Sequence, residues 1–376
     1  MNYIKIFIYT MKVIYINIIL LVFLIFILVK NNKENFTTYK RCNERKVVGI
    51  LKNIFDNYNI KETKTNSWDI YIPCGYNKVE SELKSILTDN NQQKIFGISG
   101  CDSIVSKNSL WNLLEIYYGR KGASKLMPET FIISKPNDMS LFKQKYNKNK
   151  IYVLKKNIQR KKGIKITNNL NEILNSHKDK YKVIQEFLTN TFTINKRVMN
   201  LRIYLFIVCK NNSTKIFIHK LGKCLYAGKS INNNKFDFDS RITNSYKVEK
   251  DFYKNNPLSL NQLRLYLDKR NYDGNKLFIR IIVLLKKMSK AIINSLCNLN
   301  SIKSNLKFQL FGIDVIFDEH LNPYILEINK GPDMIPKDEE DRKIKNKVEL
   351  DMLEKIKVIN ISDTHYKNEF YKLYEK

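Results

Sequence analysis

Apolar positions recur along this chain with two periods, and the alternation between them divides it into lobes. Val47, Ile50, Leu51, Ile54 and Phe55 fall three and four apart, which predicts a helix over residues 45–58, followed by a strand near 67–72. A short helix is expected at 82–87. A longer one over 102–119 follows from Leu110, Leu113, Leu114 and Tyr117. The polar run 134–150, with Pro136 and several lysines and asparagines, reads as a linker or loop. Strands are then expected at 151–154, 183–187, 201–209 and 215–219, the last two joined as a hairpin through a turn at Asn211 to Ser213. Residues 232–250 form a polar connection. Leu277, Ile281, Leu285, Met288, Ile292 and Leu296 line one helical face, and the lysines and Arg280 beside them exclude a membrane span there. No internal repeat is evident.

The most informative stretch is residues 311–332, FGIDVIFDEHLNPYILEINKGP, which alternates on both sides of a polar turn at Glu319 to Asn322 and predicts two antiparallel strands. Glu327 and Asn329 are two apart and share a face. A turn centred between His320 and Leu321 sets Asp314 opposite Glu327. Asp314, Glu327 and Asn329 would then offer three hard oxygen ligands to a magnesium ion that also holds nucleotide phosphates. A surface hairpin with solvated acids fits the trio alone equally well.

The N-terminus differs from the rest. Residues 13–29 are apolar except for Asn17, long enough to cross a bilayer, and Lys30, Asn31, Asn32 and Lys33 follow instead of the small residues of a cleavage site. An uncleaved single-pass anchor is therefore expected. Lys30, Lys33, Lys40, Arg41, Arg45 and Lys46 on its C-terminal side outnumber Lys5 and Lys12, which would leave the body of the protein facing the cytosol.

With 376 residues, 43% of them hydrophobic, the chain can bury a core in two or more lobes. Its formal net charge of +30 favours anionic partners. The abundance of lysine and asparagine is also what an AT-rich genome produces, such as that of a large DNA virus or a parasite. Without a zinc finger, RNA-recognition signature or helix-turn-helix pattern, nucleic acid rests on charge alone and is not expected as a partner. Cys42, Cys74, Cys101, Cys209, Cys224 and Cys297 are spaced widely and irregularly, suggesting neither a metal site nor a disulfide framework, and reduced thiols fit best.

Upstream of the hairpin, YVLKKNIQRKKGI ends a strand in Lys155 and runs into a basic loop closed by Gly163, from which Lys155 and Lys162 could meet phosphates; a solvated lysine cluster reads as well. Gln185, Glu186, Phe187 and Leu188 end another strand. Arg202 lies inside the apolar strand LRIYLFIV, where a buried cation needs an anionic partner, although alternation could also turn it to solvent.

Taken in order over residues 107–353, these segments resemble the tubulin-tyrosine ligase-like family, amino-acid ligases of the ATP-grasp fold. The family's phosphate-binding lysine and glycine loop match Lys155 and Lys162. Its adenine-holding hinge resembles Gln185, Glu186, Phe187 and Leu188, and its Lys-Phe-Asp-x-Arg segment aligns with residues 198–202, keeping Arg202. Its His-Leu-Thr-Asn loop resembles Arg241 to Asn244, keeping Thr243 and Asn244, and Lys107 is similar to a phosphate-contacting lysine of its first lobe. The hairpin matches most specifically, through Phe-Glu-Leu-Phe-Gly-x-Asp and Leu-Leu-Glu-Val-Asn-x-x-Pro. Three positions depart: Val198 stands for a lysine, Asn200 for the aspartate that holds ribose, and Leu225 for an arginine.

The resemblance implies an α+β architecture, two ATP-grasp lobes clasping the nucleotide, here preceded by the expected membrane helix and a small α/β lobe. The corresponding boundaries are an anchor at 1–33, an N-terminal lobe at 34–134, a central lobe at 135–190, a C-terminal lobe with the hairpin at 191–360 and a tail at 361–376. It also implies ATP and magnesium as cofactors and a carboxylate activated as acyl phosphate. A free amino acid would be joined to an acidic acceptor such as a tubulin tail. Asp314, Glu327 and Asn329 would hold the metal, Lys107, Lys155 and Arg202 neutralise the transferring group, and Gln185, Glu186, Leu188, Asn200, Thr243 and Asn244 order the nucleotide or acceptor. A membrane-tethered ATP-grasp scaffold without turnover is the alternative that Val198, Asn200 and Leu225 support.

Overall fold

The computed structural model describes residues 15, 17–20, 36–42, 46–75, 78–158, 163–243 and 252–376. Its centre is the hairpin of β-strands anticipated between residues 201 and 219, but longer. Strands of 14 residues each, Arg197–Lys210 and Ser213–Tyr226, turn at Asn211, whose φ of 53° is one that asparagine tolerates.

In chain order the N-terminal lobe contributes β1 (Thr38–Arg41), β2 (Lys61–Glu62), β3 (Ile70–Ile72) and β4 (Lys94–Phe96). A separate four-stranded sheet follows from β5 (Thr130–Ile132), β6 (Tyr152–Lys155), β7 (Ile164–Thr167) and β8 (Val183–Glu186), in the order β5-β8-β6-β7. The remaining strands are β9 (Thr193–Ile194), β10 (Arg197–Lys210), β11 (Ser213–Tyr226), β12 (Leu306–Phe317), β13 (Pro323–Asn329) and β14 (Phe370–Glu375). These join β1–β4 in one large sheet ordered β14-β11-β10-β12-β4-β3-β1-β2. One edge of β12 is shared, its first residues pairing with β4 in parallel and its later ones with β13 antiparallel. The architecture is mixed α+β, with the N-terminal lobe fused to the main sheet through the β4–β12 ladder.

Four helices matter for the site: α1 (Cys101–Val105), α2 (Lys107–Ala123), α3 (Gly274–Ile292) and α4 (Glu339–Lys355). α2 runs on past the glycine that seemed to end it, bending at Gly119, where φ is 66°. Residues 134–150, expected as a loop, instead contain the helix Pro136–Lys145, because Pro136 occupies its first turn, where a missing N–H costs nothing. Alternation sorts β10 between two cores. Leu201, Ile203, Leu205 and Ile207 pack with α2 and α3, while Tyr204 and Phe206 pack with Val348 and Met352 of α4. A third core, Phe131, Phe142, Tyr152, Leu154, Ile173 and Ile184, belongs to the small sheet.

Two expectations are corrected. No helix among the described residues is long and apolar enough to cross a membrane, so the single-pass anchor with a cytosol-facing body has no support in the structure. Residues 13–29 lie outside the described residues except for Tyr15 and 17–20. The apolar face of α3, the longest helix among the described residues, is spent against the main sheet. Four of the cysteines also form pairs, Cys42–Cys74 with Cα atoms 4.9 Å apart and Cys209–Cys297 at 6.0 Å, where reduced thiols were expected. Sequence separations of 32 and 88 residues hid them. Cys42 and Cys74 follow the paired strands β1 and β3, so tertiary pairing brings them together.

α4 carries an unusual buried stripe, Asp341, Lys345 and Glu349, at spacings of four. Asp341 accepts Lys223 of β11 at 2.8 Å and Lys345 at 2.9 Å, and Lys345 also donates to the Ile335 carbonyl at 2.7 Å. Glu349 is left with one carboxyl oxygen unpartnered, and burial pushes its pKa up to about 8 against the pull of Lys345. An unfolded glutamate titrates near 4.3, so the folded state keeps a proton that the unfolded chain releases, and this contribution to stability declines as pH rises from about 4.3 to about 8. Glu349→Gln is therefore expected to be more stable than the parent at pH 8.5 by about 2 to 4 kcal/mol. The advantage should shrink at pH 5, as urea denaturation at both pH values would show.

Candidate functional site

On the face of the main sheet that α4 covers at Tyr204 and Phe206, the other end of β10 is left to Asn200 and Arg202. Strand register sets Lys223, Arg202, Asp314 and Glu327 side by side on β11, β10, β12 and β13. Arg202 donates to both carboxylate oxygens of Asp314, Nε at 2.5 Å and Nη2 at 3.0 Å, and this partner keeps the guanidinium firmly charged although burial opposes it. Asp314 pairs with Glu327 as the alternation predicts, and Asn329 Nδ2 reaches Asp314 Oδ2 at 3.4 Å, so all three residues of the trio come together.

Gly312 makes room for this arrangement. A Cβ there would lie 2.8 Å from Arg202 Cδ and 3.2 Å from Pro332 Cβ, because the arginine crosses directly over the strand.

Two lysines approach from other elements. Lys107 opens α2 and sits 3.4 Å from Glu327. Lys155 ends β6 and is buried, donating to Gln185 Oε1 at 2.6 Å, while Gln185 donates to Thr130 Oγ1 at 2.8 Å. Burial pulls the Lys155 pKa down to about 8, with Lys107 adding to the effect and Glu327 and Asp314 opposing it. For Glu327 burial acts upward, yet Lys107, Lys155 and Arg202 together hold its carboxyl below the usual range.

Beside the trio, Asn200 donates to Thr243 Oγ1 at 3.0 Å, and its own Oδ1 is buried without a partner. Val198 and Ile316 share this face and form a small apolar cluster with Ala227, against which Leu188, Tyr324 and Leu326 pack. Leu188 thus joins a floor next to Asn200. Leu225 pairs with Asn200 and stays half-buried. Glu186 points elsewhere, into an ion pair with Lys150 at 2.7 Å. Residues 186–190, together with residues 149–151 and 318–320, line an open cleft of about 400 Å³. Lys162 and Asn244 lie outside the described residues.

Sequence reasoning missed three participants. Lys223 lies opposite Arg202 with its charge taken up by Asp341, and its signal was a lysine inside the apolar run LGKCLYA. Lys330, next to Asn329 and buried, pairs with Asp102 of α1 and ties the hairpin to the N-terminal lobe. Asn157 lies two residues beyond Lys155 and bonds the turn that opens α2. Nothing local in sequence marks these last two.

As a metal site the trio fits magnesium: two carboxylates and a carboxamide oxygen are hard donors, and the facing cations suit phosphates that would share the ion. The unpartnered Asn200 oxygen, next to an apolar floor, suits a hydroxyl donor beside a flat ring.

The family model "Tubulin-tyrosine ligase family" matches residues 83–365. A probable beta-tubulin polyglutamylase of Tetrahymena thermophila is 26% identical over 64% of this chain and 22% of its own length. A probable tubulin polyglutamylase of Mus musculus is 24% identical over 81% of this chain and 58% of its own. Tubulin glycylase 3B of Drosophila melanogaster is 24% identical over 50% of this chain and 26% of its own. The chain thus spans between about a fifth and three-fifths of these relatives.

The crossing of Arg202 over Gly312 yields a testable coupling. Gly312→Ala is expected to push the guanidinium off Asp314 and cost about 1 to 3 kcal/mol of stability. In an Arg202→Ala background the same change should cost far less, since most of what the methyl strikes is gone, and a double-mutant cycle by denaturant unfolding would read the difference.

Proposed function

Because the chain belongs to the tubulin-tyrosine ligase family, we propose that it is an ATP-dependent ligase that joins a free amino acid to a carboxylate of an acidic protein acceptor. One observation carries this reading: Asp314, Glu327 and Asn329 come together where β12 pairs with β13, with Arg202 and Lys107 in ion pairs with the two carboxylates and the buried Lys155 near enough to feel both. Magnesium, when bound by that trio, would supply charge neutralisation to the β and γ phosphates. Lys107, Lys155 and Arg202 would hold the phosphoryl oxygens and stabilise the charge that spreads over them in transfer. Val198, Leu188, Ile316 and Leu326 would take the base, and Asn200 with Thr243 a ribose hydroxyl.

In the first step an acceptor carboxylate oxygen attacks the γ phosphorus, the bond to the bridging oxygen breaks, and ADP leaves with an acyl phosphate formed. In the second the amine nitrogen attacks the acyl carbon, phosphate departs with the bonding electrons, and the nitrogen loses a proton to give the amide. Neither step needs a nucleophilic side chain, so positioning and electrostatics do the catalytic work. Lys155, its pKa drawn down to about 8 by burial, keeps most of its charge at neutral pH, and an anionic phosphate beside it would raise the pKa again.

An acidic acceptor is supported by the net charge of +30 and by the names of the relatives, which are polyglutamylases and a glycylase of tubulin. Because those names differ in the amino acid added, the screen that tests the reading spans amino acids.

The full chain, incubated with ATP, magnesium, one labelled amino acid at a time and a glutamate-rich peptide, is expected to release ADP and label the peptide. Chelating magnesium should abolish both. An Asp314→Ala, Glu327→Ala double variant should lose at least about a hundredfold in rate. A folded wild-type protein that binds no ATP in calorimetry would sink the proposal.

A further inference from the structure

The first amides of a helix need an acceptor, and α2 does not find one at home. Its N-cap residue Ser106 makes no side-chain capping bond; the hydroxyl instead donates to Asn108 Oδ1 at 2.6 Å. The acceptor comes from Asn157, 50 residues away in the connection between β6 and β7. Its Oδ1 receives the Lys107 N–H at 3.2 Å, and its Nδ2 donates to Ser106 Oγ at 2.9 Å and Asn108 Oδ1 at 2.8 Å. The carboxamide therefore uses both its ends on one turn of another lobe.

What this cap joins is more telling than the cap itself. Asn157 stands two residues after Lys155, and the residue it caps is Lys107. Lys107 and Lys155 act on Glu327 from different lobes, and Lys107 also lies near enough to act on Lys155. Like charges pushed together in a partly buried cleft repel, so something must hold their backbones at a fixed spacing. Lys156, between Lys155 and Asn157, takes part in a backbone bond to the Gly163 carbonyl at 2.8 Å, which closes the foot of the same loop.

We propose that Asn157 is a positioning residue: by capping α2 from the β6–β7 connection it locks Lys107 and Lys155 into one phosphate-holding pair. The inference rests on the ligase reading, because only a polyphosphate ligand gives that pair its purpose. Asn157 bonds Ser106, Lys107 and Asn108, and its effect runs through the two lysines.

Magnesium-ATP and AMP, which lacks the β and γ phosphates, serve as probes in calorimetry on the full chain, alongside thermal unfolding without ligand and hydrogen exchange at the Lys107 amide. Asn157→Ala is expected to weaken ATP roughly tenfold while AMP changes less than about twofold, with faster exchange at Lys107. Asn157→Asp keeps the acceptor and loses both donations, so its ATP affinity should fall between the two. Ser106→Ala removes one partner from the other side and should give the same selectivity for ATP, which keeps the test sound if Asn157→Ala unfolds. Equal losses for ATP and AMP, or unchanged ATP binding in all three variants, would overturn the proposal while the ligase reading stands. A wild-type chain that binds no ATP would overturn both.

Discussion

A guanidinium cannot be buried without an anion beside it, and the Arg202–Asp314 pair imposes that condition on the centre of this fold. It fixes the register of β10 against β12, because a slip of one residue would turn Arg202 into the apolar core beneath α2 and α3. It requires Gly312, since the arginine lies across the strand where any side chain would stand. It also brings Asp314 level with Glu327 on β13, so the same pairing that satisfies the buried charge assembles the proposed metal ligands. Structure and chemistry here share one cause.

The site is balanced more closely than the whole chain. Against a net charge of +30, the cleft sets Lys107, Lys155 and Arg202 beside Asp314 and Glu327, and Lys223 beside Asp341. The excess cations belong to the surface and bear on what the protein attracts, while the local pairs determine where phosphate and metal would lodge. Long-range charge favours anionic partners without contributing to the geometry of these local pairs.

The positions that depart from the family pattern have local explanations. Val198 is buried in the apolar cluster beside Leu188 and Ile316, so an aliphatic residue there extends a floor where a lysine would need a partner. Asn200 keeps a donor on Thr243 and a free acceptor, which retains part of an aspartate's hydrogen bonding without its charge. Leu225 lies across from Asn200 and leaves that edge of the cleft without a cation at that position. The departures change charge and polarity around the trio Asp314, Glu327 and Asn329 and leave its pairing intact.

Periodicity in the sequence was enough to reveal the long hairpin of β10 and β11, the face of α3, the β12–β13 pair and the meeting of Asp314 with Glu327, because each depends on residues close in the chain whose side chains alternate or recur every three to four positions. The apolar N-terminal stretch marks the limit of that method: the membrane anchor it suggested has no counterpart among the helices of the described residues. Only the tertiary structure buried Glu349, paired Cys42 with Cys74, placed Lys223 against Asp341 and carried Asn157 to the start of α2; the last three contacts join segments between about 30 and 120 residues apart that meet because strands and helices pack. Local pattern sets which face a residue takes; which residue it then meets across a lobe is set by burial and by hydrogen bonds that must close somewhere, and no window of sequence contains both partners.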